Sequence, residues 1–497
     1  MEVKKIGEKH KNPLSRVCEI RNGELIRYYG DQTEFTVPDD VTVVASDAFR
    51  NSKKLTEVTL GVRVTSIHAS AFAGCAQLRQ VTFPAGLREI GEEAFAGCTS
   101  LAAVLLPKTV YSIGDGAFRG CSALKKVLLP AGLNSLGARS FSGCESLEEL
   151  SLPDGLTAIH NGTFFRCRQL RSIRIPDSLI TVGSLSFSQC SSLEEITFPD
   201  HITYLGHGAF SECGSLKSFR VPEKTVFLGN YLFSCCSALE EVTVPSTLTT
   251  VGNYTFCSCK SLKSFLFPEG LTSIGQGAFL GCSGLTELHL PDTVEEIGKQ
   301  AFAFCTGVGS VVLSSSLTVL EDGTFTGCRS VPEISLPEGM ISVGERAFHG
   351  CSSLEMIRLP RSLQKIGDRA FDGCAVRGIS LPAMVSRIGE RAFANCAELK
   401  TVFLPGREMR IEIGAFEGCG QLETVVIPER SILARRKRRF WRLPEQAELI
   451  DRGELAITRL LEEWADPQTP EERREELRGE IQKLVAERKK YRFTGYR

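Results

Sequence analysis

Hydrophobic positions in this chain follow a short period nested inside a long one. In the stretch 101–123, Val104 and Leu106 alternate with Leu105, the two-residue period of a short strand that buries one face. Pro107 lacks the N–H that a strand ladder needs, so it ends the strand. Val110 and Ile113 repeat the inward pattern on the return side, and Gly114 marks a tight corner that a residue without Cβ turns most freely. Ala117, Phe118 and Cys121 refill the interior before Leu124 begins the pattern again.

The long period is 23. Phe recurs seventeen times from Phe49 to Phe416 over residues 32–421, with every spacing 23 except one of 22 between Phe371 and Phe393. Cys follows Phe by three residues in 16 copies, Pro ends the strand in 15 and Gly takes the corner in 12, agreement that leaves chance no room. About eight inward positions per copy cannot close a core alone, but stacked copies bury them continuously. The pattern predicts a repeat solenoid over 32–430, β-rich with short parallel strands, whose interior carries one ladder of Phe and another of Cys. At 497 residues, length alone would suggest several globular domains. The repeat replaces that expectation with one long stack.

An open stack exposes an edge strand at each end, so capping devices are expected. Asn22-Gly23 stands between two strand-like runs, the strongest short hairpin signal, and predicts a β-hairpin cap within an N-terminal segment 1–31. At the other end, Leu422 to Pro428 supplies a last strand and the repeat stops. Residues 431–497 are then expected to form a basic connector and an α-helical hairpin. Ile450, Ile457, Leu460, Leu461 and Trp464 fall on one helical face, and Leu477, Ile481, Leu484 and Val485 on another. Thr469-Pro470-Glu471-Glu472 carries an N-cap, a first-position Pro and a capping-box Glu between helices at about 445–465 and 470–490.

Net charge is −1, which excludes a chain that is globally polycationic or an acidic tail. That near-neutrality conceals a +4 tail beyond residue 430 and −5 on the rest. No apolar run approaches the ~18 residues of a membrane span, and residues 1–13 carry charge without the apolar core of a signal peptide. The expectation is a cytoplasmic protein without a transmembrane segment.

The 19 cysteines invite disulfides or metal. Sixteen are repeat positions whose side chains point in parallel on successive coils, which predicts buried free thiols that act as small apolar residues. Cys235, Cys236, Cys257 and Cys259 on adjacent coils are the one place where four thiols might pair or gather around zinc, though C-C-x20-C-x-C is no familiar ligand spacing. No cofactor and no metal is expected. Gly114-Asp-Gly116 and Gly275-Gln-Gly277 lack the spacing of a nucleotide loop, and no nucleophile elbow or paired-His zinc motif occurs. His68 and His160 occupy corner positions, where strain explains them without chemistry. The chain reads as non-enzymatic.

What remains is surface. From 147 to 284, Glu148-Glu149, Glu194-Glu195 and Glu240-Glu241 alternate with Arg171-Ser172, Lys217-Ser218 and Lys263-Ser264, so adjacent strands are expected to face each other with opposite charge. Arg174 and Arg220 recur at the central outward site, and Leu105 and Leu128 make an apolar stretch beside Ala102 and Ala103. Glu149, Arg174, Glu195, Arg220, Glu241, Leu105 and Leu128 are therefore the candidate docking residues for a protein partner. A second candidate is Arg435, Arg436, Lys437, Arg438, Arg439 and Arg442 with Phe440 and Trp441, a basic run suited to RNA or an anionic membrane surface. The plainer account of that run is a connector whose Phe440 and Trp441 pin the helical hairpin to the last coil, near outward Phe403 and Val426.

The unit L-x-x-V-x-L-P-x-x-V-x-x-I-G-x-x-A-F-x-G-C-x-x resembles the leucine-rich repeats of the BspA-like, treponemal-type class over about four fifths of the chain. Gly61 and Ser314 depart from its Pro, Ser52 from its Cys, and Ala45, His68, His160, Glu321 and Glu412 from its corner Gly. The resemblance implies a right-handed leucine-rich-repeat superhelix that binds macromolecules. It also implies, as the alternative to the cytoplasm, a secreted or cell-surface protein of adhesin type.

Overall fold

A computed structural model describes residues 17–405, 409–427, 439–451, 455–466 and 469–489. It comprises two compact units, 1–262 and 263–497.

In the first unit most coils supply a three-residue strand and a two-residue strand, and where neighbouring coils pair, each strand lies parallel to its counterpart 23 residues on. Ala103–Leu105 lies beside Lys126–Leu128 with Val104 opposite Val127, while Ser112–Ile113 lies beside Ser135–Leu136. The register is set by burial, because a slip of one residue would turn fully buried Val104 to solvent and exposed Leu105 inward. Successive Phe rings from Phe49 to Phe256 stack 4.6–6.0 Å apart and within 21° of parallel. This continuous contact is what no single coil provides.

The predicted N-terminal hairpin is present. Cys18–Arg21 pairs antiparallel with Glu24–Tyr28, and Asn22 and Gly23 both take the positive φ of a tight primed turn (51° and 78°). Its second strand pairs in parallel with Val43–Val44, so the hairpin closes the sheet of two-residue strands.

Two details of the coil differ from the sequence reading. The corner Gly does not use glycine's conformational freedom, since neither Gly114 nor its counterparts Gly91 and Gly137 have positive φ. A Cβ on Gly114 would sit 2.6 Å from the Glu92 backbone nitrogen, so the glycine admits the preceding coil rather than turning the chain. His68 and His160 at the same position are likewise outside the left-handed region, so no backbone strain explains them. The left-handed residues stand two before and two after each Phe, as in Gly116 and Gly120 around Phe118. Leu185, Tyr231 and Arg346 occupy this conformation too, at a cost of roughly 1–2 kcal/mol each against glycine.

The repeat cysteines are all buried. Their thiols donate to the Phe carbonyl of the preceding coil, as from Cys75 to Phe49 at 3.0 Å, Cys121 to Phe95 at 3.2 Å and, in the second unit, Cys328 to Phe302 at 3.2 Å. Cysteine is thus a small apolar residue with one weak donor, placed where a carbonyl needs it.

The second unit repeats this construction and then departs from expectation at its end. Gly378–Ser380, Thr401–Phe403 and Thr424–Ile427 form a parallel sheet, to which Glu448–Asp451 adds one further strand. Residues 445–451 are therefore not helical, and Ile450 belongs to the sheet rather than to a helix face. Between these strands, the carbonyls of Phe440 and Trp441 accept from Gly414 and Phe416 (2.9 and 3.4 Å), standing in for the next coil's turn. Helix α1 (Leu455–Ala465) and helix α2 (Glu471–Lys489) follow. Thr469 ties their connection by donating its hydroxyl to the Glu463 carbonyl at 2.5 Å. Arg473 bridges the helices through Glu463 at 2.9 Å. The side chains of Ile450, Ile457, Leu484 and Val485, and residues Arg435 to Arg438, lie outside the described residues.

Candidate binding face

Alternation along the three-residue strands of the first unit puts the middle residue in the core and the flanking residues in solvent. In the first unit the last outward position carries Thr36, Thr59, Thr82, Leu105, Leu128, Ser151, Arg174, Arg220 and Thr243 on the strands that end there. Leu105 and Leu128 face each other in register and are 56% and 57% exposed, a contiguous apolar pair on an otherwise polar face.

The strands of this face keep the expected register, but Arg174 and Arg220 take partners that the sequence did not indicate. Glu149 stands opposite Ser172, and Glu241 opposite Ser218. Glu148, Arg171, Glu194 and Lys217 form no ion pair with one another among the described residues. The central arginines turn instead to acids in the loop after the proline. Arg174 reaches Asp154 at 3.1 Å, while Arg220 reaches Asp200 at 2.5 Å and Glu223 at 2.8 Å. Hydrogen bonding from Arg220 holds the Asp200 carboxyl below its ordinary range. These exposed pairs contribute little to stability. Their effect is to balance Arg174 and Arg220 locally, leaving Glu149, Glu195 and Glu241 as exposed carboxylates in no ion pair among the described residues.

The last strands of the second unit carry the same outward position to a different end, whereas Leu266 and Val312 earlier in that unit stay exposed. Phe403 and Val426 stand there but are only 3% and 1% exposed, because α1 and α2 lie over them. Leu461 and Ile481 complete a buried cluster, with Leu460 and Trp464 packed against it. The Trp464 and Phe403 rings are 5.1 Å apart at 54°. The residues that pin the hairpin are thus Leu461, Trp464 and Ile481. Phe440 and Trp441, expected in that role, instead continue the last coil, with Trp441 buried there. Arg442 is paired with Glu417 and Arg439 is exposed. Sequence reasoning placed Phe403 and Val426 on the outward face and the hairpin nearby, but it missed Trp464 as the contact.

The four clustered cysteines divide between core and surface. Cys236 and Cys259 point inward to the carbonyls of Phe210 and Phe233 (both 3.1 Å), whereas Cys235 is exposed and Cys257 half-buried. Among the described residues, no group of three or more His, Cys, Asp or Glu is placed to hold a metal, and no helix is long and apolar enough to cross a membrane.

The family described as BspA type leucine rich repeat region (6 copies) matches residues 27–148, 112–240, 226–334 and 318–440. The chain belongs to this family. BspA-type repeats are scaffolds that typically bind proteins and are generally non-enzymatic. A leucine-rich repeat protein from Bacteroides ovatus is 24% identical, with 90% of this chain and 97% of that one covered and a TM-score of 0.49. One from T. pallidum is 32% identical over 35% of this chain and 83% of its own, with a TM-score of 0.34. A leucine rich cell surface protein from Faecalibacterium prausnitzii is 23% identical over 76% and 89%, with a TM-score of 0.38. No curated protein matches the chain.

Proposed function

We propose that the outward strand face of the first unit docks a protein partner, with Leu105 and Leu128 at its centre and Glu149, Glu195 and Glu241 along its charged side. The observation that carries this reading is internal to the molecule. The same outward position, occupied by Phe403 and Val426 in the second unit, buries itself against the apolar stripe of a helix pair. A partner helix laid across Leu105 and Leu128 meets the same kind of surface. Covering each leucine fully contributes up to about 1.5–3 kcal/mol, before the cost of association. The free carboxylates favour a partner whose polar flank is basic, while Arg174 and Arg220, already balanced, set register rather than net charge.

The test is the double variant Leu105→Asp/Leu128→Asp, compared with wild type in affinity capture from the source cells at matched salt. Loss of specifically captured proteins, with melting unchanged, is expected. An unchanged capture profile contradicts the reading.

A further inference from the structure

The helix pair does more than cover apolar residues, because a polar cleft of about 160 Å³ remains between α2 and the strands Met356–Arg358 and Gly378–Ser380. Four arginines line it, and two are satisfied within the protein: Arg377 pairs with Glu355 at 2.9 Å and Arg478 with Glu475 at 3.0 Å. The other two are not. Arg474 spends one Nη on the Asp466 carbonyl at 2.8 Å, but its Nε is buried without a partner. Arg358, on the outward face, has no ion pair among the described residues. A buried, unpaired donor on a charged group is costly, and two cations facing one cleft repel each other. Burial lowers the Arg474 pKa, the Glu471 carboxylate offsets this, and Arg358 lowers it further. The first turn of α2 lines the same cleft and adds the partial positive charge of a helix N-terminus.

We infer that Arg358 and Arg474 form a binding site for a small oxyanion, a carboxylate or phosphate group, held between the strand face and α2. Such a group accepts from the guanidinium of Arg474 where it lines the cleft and from the free guanidinium of Arg358 together, which offsets their mutual repulsion. An oxyanion offers a separate oxygen to each guanidinium, which monatomic chloride does not.

Calorimetric titration of the full-length protein tests this with inorganic phosphate, acetate and chloride at equal ionic strength. Saturable binding of phosphate, acetate or both beyond chloride is expected, and Arg358→Gln weakens it at least about tenfold. Binding of acetate assigns a carboxylate-accepting site, and binding of phosphate alone a phosphoryl-accepting one. Arg474→Gln is expected to weaken binding as strongly. Because that change also removes the tie to Asp466, Arg358→Gln carries the decision. No binding beyond chloride in the wild type, or equal affinity in Arg358→Gln, overturns the inference. Partner capture through Leu105 and Leu128 is scored separately, so either reading can fail alone.

Discussion

One repeat position has opposite fates in two regions of this chain. Leu105 and Leu128 stand at the outward strand site of the first unit and are more than half exposed, whereas Phe403 and Val426 stand there in the second and are buried. Nothing in the coil itself distinguishes them, since each follows an inward residue on a short parallel strand. The difference is the helix pair that follows the last strand. The interior of these repeats thus fixes the coil, and the outward residues are free to be solvent, cap site or docking site.

The comparison requires that the interiors of both regions be alike, and raising the pH tests this with the largest effect. Burial pushes the thiol of Cys75 up to about 11, and those of Cys121 and Cys213 in the first unit and Cys305 in the second up to about 12. Their folded pKa values lie above the unfolded one. The stability they contribute is therefore complete below pH 9 and is lost as pH rises through that value towards 11 and 12. Each such thiol costs about 1.4 kcal/mol per pH unit in that window, so both units are expected to unfold cooperatively within it. Circular dichroism and thiolate absorbance should change together. In a variant lacking the exposed Cys235 and the half-buried Cys257, thiolate appearing near pH 9 with the fold intact would contradict the buried ladder.

Next in size is the outward position itself. Phe403→Ala is expected to cost about 3–5 kcal/mol in the docking of α1 and α2, seen as faster amide exchange over 455–489. Leu105→Ala at the equivalent site should change stability by less than about 0.5 kcal/mol. Similar costs at both would erase the contrast.

Smaller effects are expected at the corners. Gly114→Ala and Gly367→Ala place a Cβ 2.6 Å and 2.5 Å from the preceding coil's backbone. Each should cost about 1–3 kcal/mol in denaturant melts, equally in the two regions. A tolerated alanine at either would mean that coil spacing is looser there. Smallest of all is the charge reversal Glu149→Lys, Glu195→Lys and Glu241→Lys. It should leave melting within about 0.5 kcal/mol while weakening capture of a basic partner most at low salt.

The coil was legible because the same inward strip is written seventeen times, and Val104, Val110 and Phe118 needed only their spacing to be placed in the core. The reason for Gly114 was not, because the atoms it makes room for belong to the preceding coil. The left-handed turn residues were equally hidden, since Gly116 and Gly120 announce them in one coil but Tyr231 and Arg346 occupy them in others. Glu448–Asp451 was mistaken for helix because Ile450 and Ile457 are seven apart, a spacing that also fits two turns. At the candidate face the sequence displayed the alternating charges but not their partners. Arg174 and Arg220 reach back 20 residues to loop aspartates, an offset shorter than the 23 that aligns strands.

The central claim is that the open outward face binds a partner as the covered one binds α1 and α2. Site-specific photo-crosslinking measures this most directly, with a photoreactive residue at position 128 and, as control, at position 185 on the exposed turn following a corner. The account predicts that a partner crosslinks at 128, not at 185, and that Leu105→Asp abolishes the product. Equal crosslinking at both positions, or a product at 128 that survives Leu105→Asp, would contradict it.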